Sequence, residues 1–127
     1  MDQEAREQGA TFDPKFDSHG LITTVVTHHQ SNEVLMVAFM NQDAINQTLA
    51  TRRAHFWSRS RQRLWMKGET SGHVIEVTEV LVDCDQDALV VKGVPKGPTC
   101  HTNARSCFYR RLALGEGDGN PIVKVNT

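Results

Sequence analysis

Leu21-Ile22-Thr23-Thr24-Val25-Val26-Thr27 and Glu33-Val34-Leu35-Met36-Val37-Ala38-Phe39 are two β-rich runs separated by the polar stretch His28-His29-Gln30-Ser31-Asn32. Branched and apolar side chains suit a pleated, half-buried surface, so the pair predicts an antiparallel hairpin with a longer loop. A helix start follows directly. Asn41 is a favourable N-cap, Met40 and Ile45 stand at the staple positions, and Asp43 lies in the first turn. Arg52 and Arg53 fall near the far end, where cations suit the helix dipole. Ile45 and Leu49 are expected to face the core.

Working outward, residues 55–59 and 63–66 read as short strands, and the loop at 68–72 leads into a longer strand at 73–82. Its alternation slips near Thr78 and Glu79, which fits either a bulge or a strand buried on both faces. Residues 88–91 continue as a strand before Gly93, Pro95, Gly97 and Pro98, which read as a loop. One principal helix among many short strands gives an α+β fold built mainly of antiparallel β-sheet.

The 127 residues are one domain's worth of chain. The ends, 1–18 and 112–127, are polar and expected to be peripheral or flexible, the 115–120 stretch above all. With 14 basic and 15 acidic residues, the near-zero net charge points to neither a nucleic-acid binder nor a membrane-surface protein. No stretch is apolar enough for a membrane span, and the opening residues lack the basic, apolar character of a secretory signal. A cytoplasmic protein is expected, and three cysteines, an odd number, fit a reducing compartment.

All three cysteines fall between Asp83 and Arg110, in the frames Asp83-Cys84-Asp85-Gln86-Asp87, Cys100-His101 and Ser106-Cys107-Phe108-Tyr109-Arg110. If 83–87 is extended, its three carboxylates point to one side and Cys84 to the other. Carboxylates suit magnesium and thiolates suit zinc, so opposed faces would sort two metals. Three thiolates make an incomplete structural shell but match catalytic zinc, which commonly keeps one position open for water. Other readings stay open: buried thiols acting as small apolar side chains, and a solvated acidic turn. An EF-hand loop is disfavoured, because Ala88 and Val94 stand where it needs glycine and glutamate.

Local charge is uneven. Residues 52–67 carry six basic side chains and no acid, whereas 69–87 carry six acids and no lysine or arginine. An anion-binding strip thus precedes a cation-binding strip, which is what a phosphorylated substrate and a metal need in one cleft, although charge runs are more often solvated faces.

Five segments together resemble the phosphoribosyl-AMP cyclohydrolase family of histidine biosynthesis: 33–41, Trp57-Ser58-Arg59-Ser60-Arg61, Leu64-Trp65-Met66-Lys67-Gly68-Glu69-Thr70-Ser71-Gly72-His73, Asp83 to Asp87, and Gly97-Pro98-Thr99-Cys100-His101-Thr102 with Ser106 to Tyr109. They are spread over residues 33 to 109. His28-His29 and Asn103-Ala104 depart from the family's usual loops. The resemblance implies zinc held by Cys84, Cys100 and Cys107 and magnesium held by Asp83, Asp85 and Asp87. It also implies an intertwined homodimer with zinc ligands drawn from both chains, and hydrolytic opening of the C6–N1 bond of the substrate's adenine ring.

Within that chemistry His101, and secondarily His73, are candidates to relay the proton, since imidazole titrates near working pH. Arg59, Arg61 and Lys67 are candidates to clamp the two phosphates, with Ser58, Ser60, Thr70 and Ser71 adding donors. Arg105 and Arg110 are further anion-site candidates. Trp57, Trp65, Phe108 and Tyr109 are available to stack on the purine, although aromatics at strand spacing are more often core. A zinc deaminase is a competing reading, but its His-x-Glu and Pro-Cys-x-x-Cys signature is missing. A non-enzymatic zinc module that binds RNA would normally close its metal with a fourth ligand and carry more positive charge.

Overall fold

A computed structural model describes residues 2–115, 119 and 121–125. In chain order its elements are α1 (Gln3–Gln8), β1 (Ile22–His28), β2 (Val34–Met40), α2 (Gln42–Thr51), β3 (His55–Ser58), β4 (Arg63–Met66), β5 (Ile75–Val82), β6 (Ala88–Pro95), β7 (Arg110–Leu112) and β8 (Ile122–Lys124). The architecture is α+β. A four-stranded sheet of order β2-β1-β6-β5 carries the core, with the hairpins β3-β4 and β7-β8 as separate two-stranded sheets.

β1 and β2 form the expected hairpin, closed by the His28 amide on the Glu33 carbonyl and by Asn32 in a left-handed conformation. Asn41 caps α2, its side chain accepting from the Ala44 amide at 2.9 Å. Met40 and Ile45, at the staple positions, are both buried. Leu49 is not: it is 56 % exposed, while Thr48 on the preceding position is buried and its hydroxyl accepts from the His55 amide at 2.9 Å. The helix turns its Ala44, Ile45 and Thr48 face inward, which leaves Leu49 on the rim. Arg52 ends the helix in a left-handed conformation, φ 61°, so it serves as the C-cap.

β5 and β6 pair with a register shift between Val77 and Glu79, so of the two readings of the slipped alternation the structure shows the bulge, and β5 is not buried on both faces. β6 runs farther than expected, through Gly93 to Pro95. Gly93 is there for space, since a Cβ would come within 2.6 Å of the Ile75 side chain and 2.7 Å of the Glu76 carbonyl oxygen. The sheet is also not purely antiparallel: β1 and β6 pair in parallel, Thr23 beside Ala88 through His28 beside Gly93. That pairing joins the two interior strands, whose Val26, Leu89 and Val91 are buried with Leu35 and Phe56 in one core.

Three elements arise where none was expected: α1, β7 and β8. The opening segment is exposed but tethered, as described below. Glu116 to Asp118 and Asn120, in the stretch expected to be loose, lie outside the described residues. Among the described residues no helix is long and apolar enough to cross a membrane.

Candidate active site

A cleft of about 840 Å³ opens between β2, the β3-β4 hairpin, the 68–73 loop and the 98–107 loop. That volume lies within the range of small-molecule sites. It gathers Trp57, Ser58, Arg59, Ser60, Arg61, Lys67, Thr70, Ser71, His73, Cys100, His101 and Cys107, which is most of the set singled out in the sequence. Phe39, Arg63 and Glu69 also line it.

The basic wall is built by the β3-β4 turn. The Ser58 hydroxyl accepts from the Arg61 amide at 3.2 Å and lies 3.4 Å from the Ser60 hydroxyl, so both serines shape the turn itself. The Arg59 guanidinium stacks 4.1 Å over the Phe39 ring, an attraction between cation and ring quadrupole. Arg63 pairs with Glu69 at 2.6 Å. No side-chain hydrogen bond or ion pair holds Arg61 among the described residues, so its guanidinium is the wall's uncommitted cation. Trp65 leans on the buried Phe56, ring centroids 5.2 Å apart, and shares its surface between core and cleft.

Gly68 permits the next loop. Its φ is +85°, and a Cβ there would lie 2.4 Å from the backbone of His73 and Val74. The loop therefore closes on itself, with Thr70 and Ser71 at its tip and the Ser71 hydroxyl accepting from the His73 amide at 3.2 Å. The His73 ring packs on Gly97, where a Cβ would come within 2.5 Å of it.

Cys100 and Cys107 sit on one loop. Asn103, at φ 71°, supplies the left-handed residue that a glycine often provides, and its amide closes the turn on the Cys100 carbonyl at 2.9 Å. The Thr102 hydroxyl donates to the Cys100 sulfur at 3.1 Å. That bond, ahead of smaller contributions, holds the Cys100 thiol below its ordinary range. The buried Ser106 hydroxyl donates to the Val34 carbonyl at 2.6 Å and the Cys107 amide to the Leu35 carbonyl at 2.8 Å, which pins the loop to β2. Desolvation first, and the neighbouring Cys100 second, push the Cys107 thiol up to about 11. Lys67 lies beside this pair rather than with the arginines. Burial lowers its pKa and the two cysteines oppose that shift, while its Nζ donates to the His73 carbonyl at 3.3 Å. Thr102 and Ser106 were given no role in the sequence, although Thr102 follows Cys100-His101 directly and Ser106 opens the frame that holds Cys107.

Arg105 is outside the cleft. Its guanidinium makes two bonds to the Glu33 carboxylate, at 2.7 and 2.9 Å. Phe108 is 54 % exposed, and the Arg110 guanidinium lies over the Tyr109 ring at 5.2 Å. None of these four lines the cleft.

The acidic motif takes a different form from the extended one expected. Residues 83–87 are the turn joining β5 to β6, with Gln86 left-handed at φ 60°. Asp83 Oδ1 accepts from the amides of Asp87 and Ala88 at 2.8 and 3.0 Å, an arrangement that an aspartate makes readily in a turn. A turn has no two-residue period, so Cys84 is not opposed to the carboxylates. Ligand atoms of Asp83, Cys84 and Asp85 all lie within 4.8 Å of one another. Burial raises the Asp83 pKa, but hydrogen bonds with Asp87 and Ala88 outweigh it and hold the group below its usual range. Asp87 is pushed up to about 6 by its hydrogen bonds with Asp83 and Asp85. The chemistry of this donor set fits a cation, and the thiols of Cys100 and Cys107 fit a soft one.

The two groups are apart within one chain. Val26 pairs with both Met36 and Val91, and Thr23 with Ala88, so the Leu35 anchor of Cys107 is three or more strand residues, roughly 10 Å, from the start of β6. It is also two strand spacings, about 10 Å, to the side. Thiolates on one zinc ion each lie about 2.3 Å from it. Cys84 therefore does not reach the other two within the chain, and of the six acids of the 69–87 strip only Glu69 lines the basic cleft.

The phosphoribosyl-AMP cyclohydrolase family model matches residues 36–109, from β2 through Tyr109, and so takes in the cleft and all three cysteines. The chain is similar to the phosphoribosyl-AMP cyclohydrolase of Erythrobacter litoralis, 61 % identical over 112 residues that cover 88 % of this chain and 90 % of that protein. It is similar to those of Rhizorhabdus wittichii, 54 % identical over 98 % of both chains, and of Brucella anthropi, 56 % identical over 92 % of this chain and 84 % of that one. On these matches, with the cleft and the cysteine-bearing loops inside the matched span, the chain belongs to the phosphoribosyl-AMP cyclohydrolase family of hydrolases.

Proposed function

We propose that this protein opens the adenine ring of phosphoribosyl-AMP by hydrolysis of the C6–N1 bond, as a step of histidine biosynthesis. It works as a homodimer whose zinc ligands are Cys100 and Cys107 of one subunit and Cys84 of the other, with magnesium on Asp83, Asp85 and Asp87. The observation that carries this reading is the division of the donor set. Two thiols line a nucleotide-sized cleft, and the third sits with carboxylates too far off to join them in the same chain. A second copy bringing its 83–87 turn to the cleft completes the set.

Zinc bound there would supply Lewis acidity that brings loss of a proton from water into the neutral range. The chain's own residues do the rest. Arg61, on the basic wall, meets a phosphate, and the Thr70-Ser71 tip adds donors. Trp57 and Trp65 offer faces to the purine. His101, exposed next to Cys100, and His73, seated on Gly97, are placed to take a proton from water and deliver one to N1 as the C6–N1 bond breaks. Water's oxygen stays on C6, and N1 leaves protonated. Lys67 holds the 68–73 loop against the thiols. All three cysteines are free, which suits a reducing, cytoplasmic setting.

The test is ring opening followed by absorbance, before and after the metal is stripped. Turnover that disappears on chelation and returns with added zinc is expected. Full turnover by metal-free protein would overturn the proposal.

A further inference from the structure

Gln86 is the one residue of the Asp83-Cys84-Asp85-Gln86-Asp87 turn whose side chain points inward; it is 5 % exposed, whereas Asp83, Cys84 and Asp87 are exposed. Its amide accepts from the Asp13 amide at 2.8 Å and donates to the carbonyls of Arg6 and Thr11 at 3.0 and 3.2 Å. Its main-chain oxygen accepts from Lys15 at 2.7 Å. A glutamine amide has two donors and two acceptor sites, and three of them go to the backbone of the opening segment. Arg6 closes the other side of the clasp, its Nε on the Asp13 carbonyl at 3.2 Å and its Nη2 on the Asp13 carboxylate at 3.1 Å.

We propose that Gln86 is a positioning residue for the metal-carrying turn, and that the exposed opening segment, residues 6–15, is the part of the fold that holds it in place. The backbone of Gln86 is in the left-handed region, φ 60°, which residues other than glycine, asparagine and aspartate avoid. Its clasp stabilises that conformation. With Gln86 turned inward, Asp83, Cys84 and Asp85 face outward with their ligand atoms converging. Released, the turn would exchange among conformations in which those atoms separate, and a cation would have to order them on binding.

The inference rests on the reading of Cys84 as a zinc ligand, and the experiment separates the two. Cobalt(II), a zinc surrogate whose thiolate complexes absorb by charge transfer, is titrated into the 127-residue protein and its Gln86→Gly, Arg6→Ala and Cys84→Ser variants. Each variant's thermal midpoint is measured alongside. Glycine adopts the left-handed backbone freely, so Gln86→Gly removes the clasp and keeps the turn's geometry accessible.

Cobalt affinity is expected to fall about tenfold in Gln86→Gly, the scale at which supporting residues act on metal sites. It should fall less in Arg6→Ala, and a variant combining Gln86→Gly with Arg6→Ala should lose no more than Gln86→Gly alone, because both changes open one clasp. Parent-like affinity in Gln86→Gly, with Cys84→Ser defective, would overturn the role of Gln86 and leave the zinc reading standing. Parent-like affinity in Cys84→Ser would overturn both. Should Gln86→Gly fail to fold, Arg6→Ala decides: unchanged cobalt affinity there overturns the clasp.

Discussion

The amide of Cys107 donates to the carbonyl of Leu35 at 2.8 Å, and this bond ties the third cysteine of the chain to the β2 edge of the sheet. Cys84 belongs to the turn that joins β5 and β6 at the opposite edge. If zinc bridges two subunits, mixing an inactive Cys84→Ser subunit with an inactive Cys107→Ser subunit should restore one of the two equivalent sites of the mixed dimer. The other site would lack two thiolates. Zinc-dependent ring opening is measured after subunit exchange has been confirmed independently. No recovery would rule out the shared site.

Ser106→Ala should destabilise the protein by about 1–3 kcal/mol, since the buried hydroxyl serves both the Val34 carbonyl and the Phe108 amide. It should also weaken metal binding, because the loop that presents Cys107 loses its anchor. Denaturant unfolding and a metal titration check the two effects. Loss of stability with unchanged metal affinity would show that the Cys107 amide bond holds the loop alone.

Asp83→Asn keeps the Oδ1 acceptor for the Asp87 and Ala88 amides, so the turn should survive while its charge is reduced. The response to magnesium should drop several-fold and zinc content stay unchanged. Magnesium titrations at fixed zinc give the readout, and an unaltered magnesium response would make the carboxylates a solvated turn.

Arg61→Ala should raise KM roughly tenfold, the scale of a lost charge-assisted hydrogen bond, with kcat little changed. A phosphate remote from the reacting ring is held alike in ground and transition states. Steady-state kinetics decide the point: a loss confined to kcat would move Arg61 into the chemistry.

Hydrogen bonding to Arg105 holds the Glu33 carboxylate below its ordinary value of 4.5. A lowered carboxylate contributes stability that is present above the unfolded-state value and is lost as pH falls through the folded-state value. The thermal midpoint difference between the parent protein and Glu33→Gln should therefore be small and constant above about pH 5, then vanish under more acidic conditions. Arg105 is exposed and Glu33 half-buried at the surface, so high salt should shrink it too. A difference that persists once the carboxylate is protonated in the folded state too would assign the effect to packing.

Much of the fold was legible because its signals are local. Asn41 with the Met40 and Ile45 staple predicted α2, and the slipped alternation at Thr78 and Glu79 marked the place of the bulge, since caps and side-chain periods act within a few residues. The motifs around Ser58, Lys67, Cys100 and Cys107 marked the residues of the cleft for the same reason. The pleat, however, dictates which face a side chain takes and not which strand lies alongside, so the parallel pairing of β1 with β6 was not legible. Nor was the form of residues 83–87. Asp-Cys-Asp-Gln-Asp is compatible with strand or turn, and in the turn it adopts Gln86 reaches residues more than seventy positions earlier. The sequence by itself determined the family and the helix, and it singled out the three cysteines and three aspartates as candidate donors. Only the tertiary structure decided that Cys84 stands apart from Cys100 and Cys107, because that separation depends on strand order, which long-range burial and pairing select.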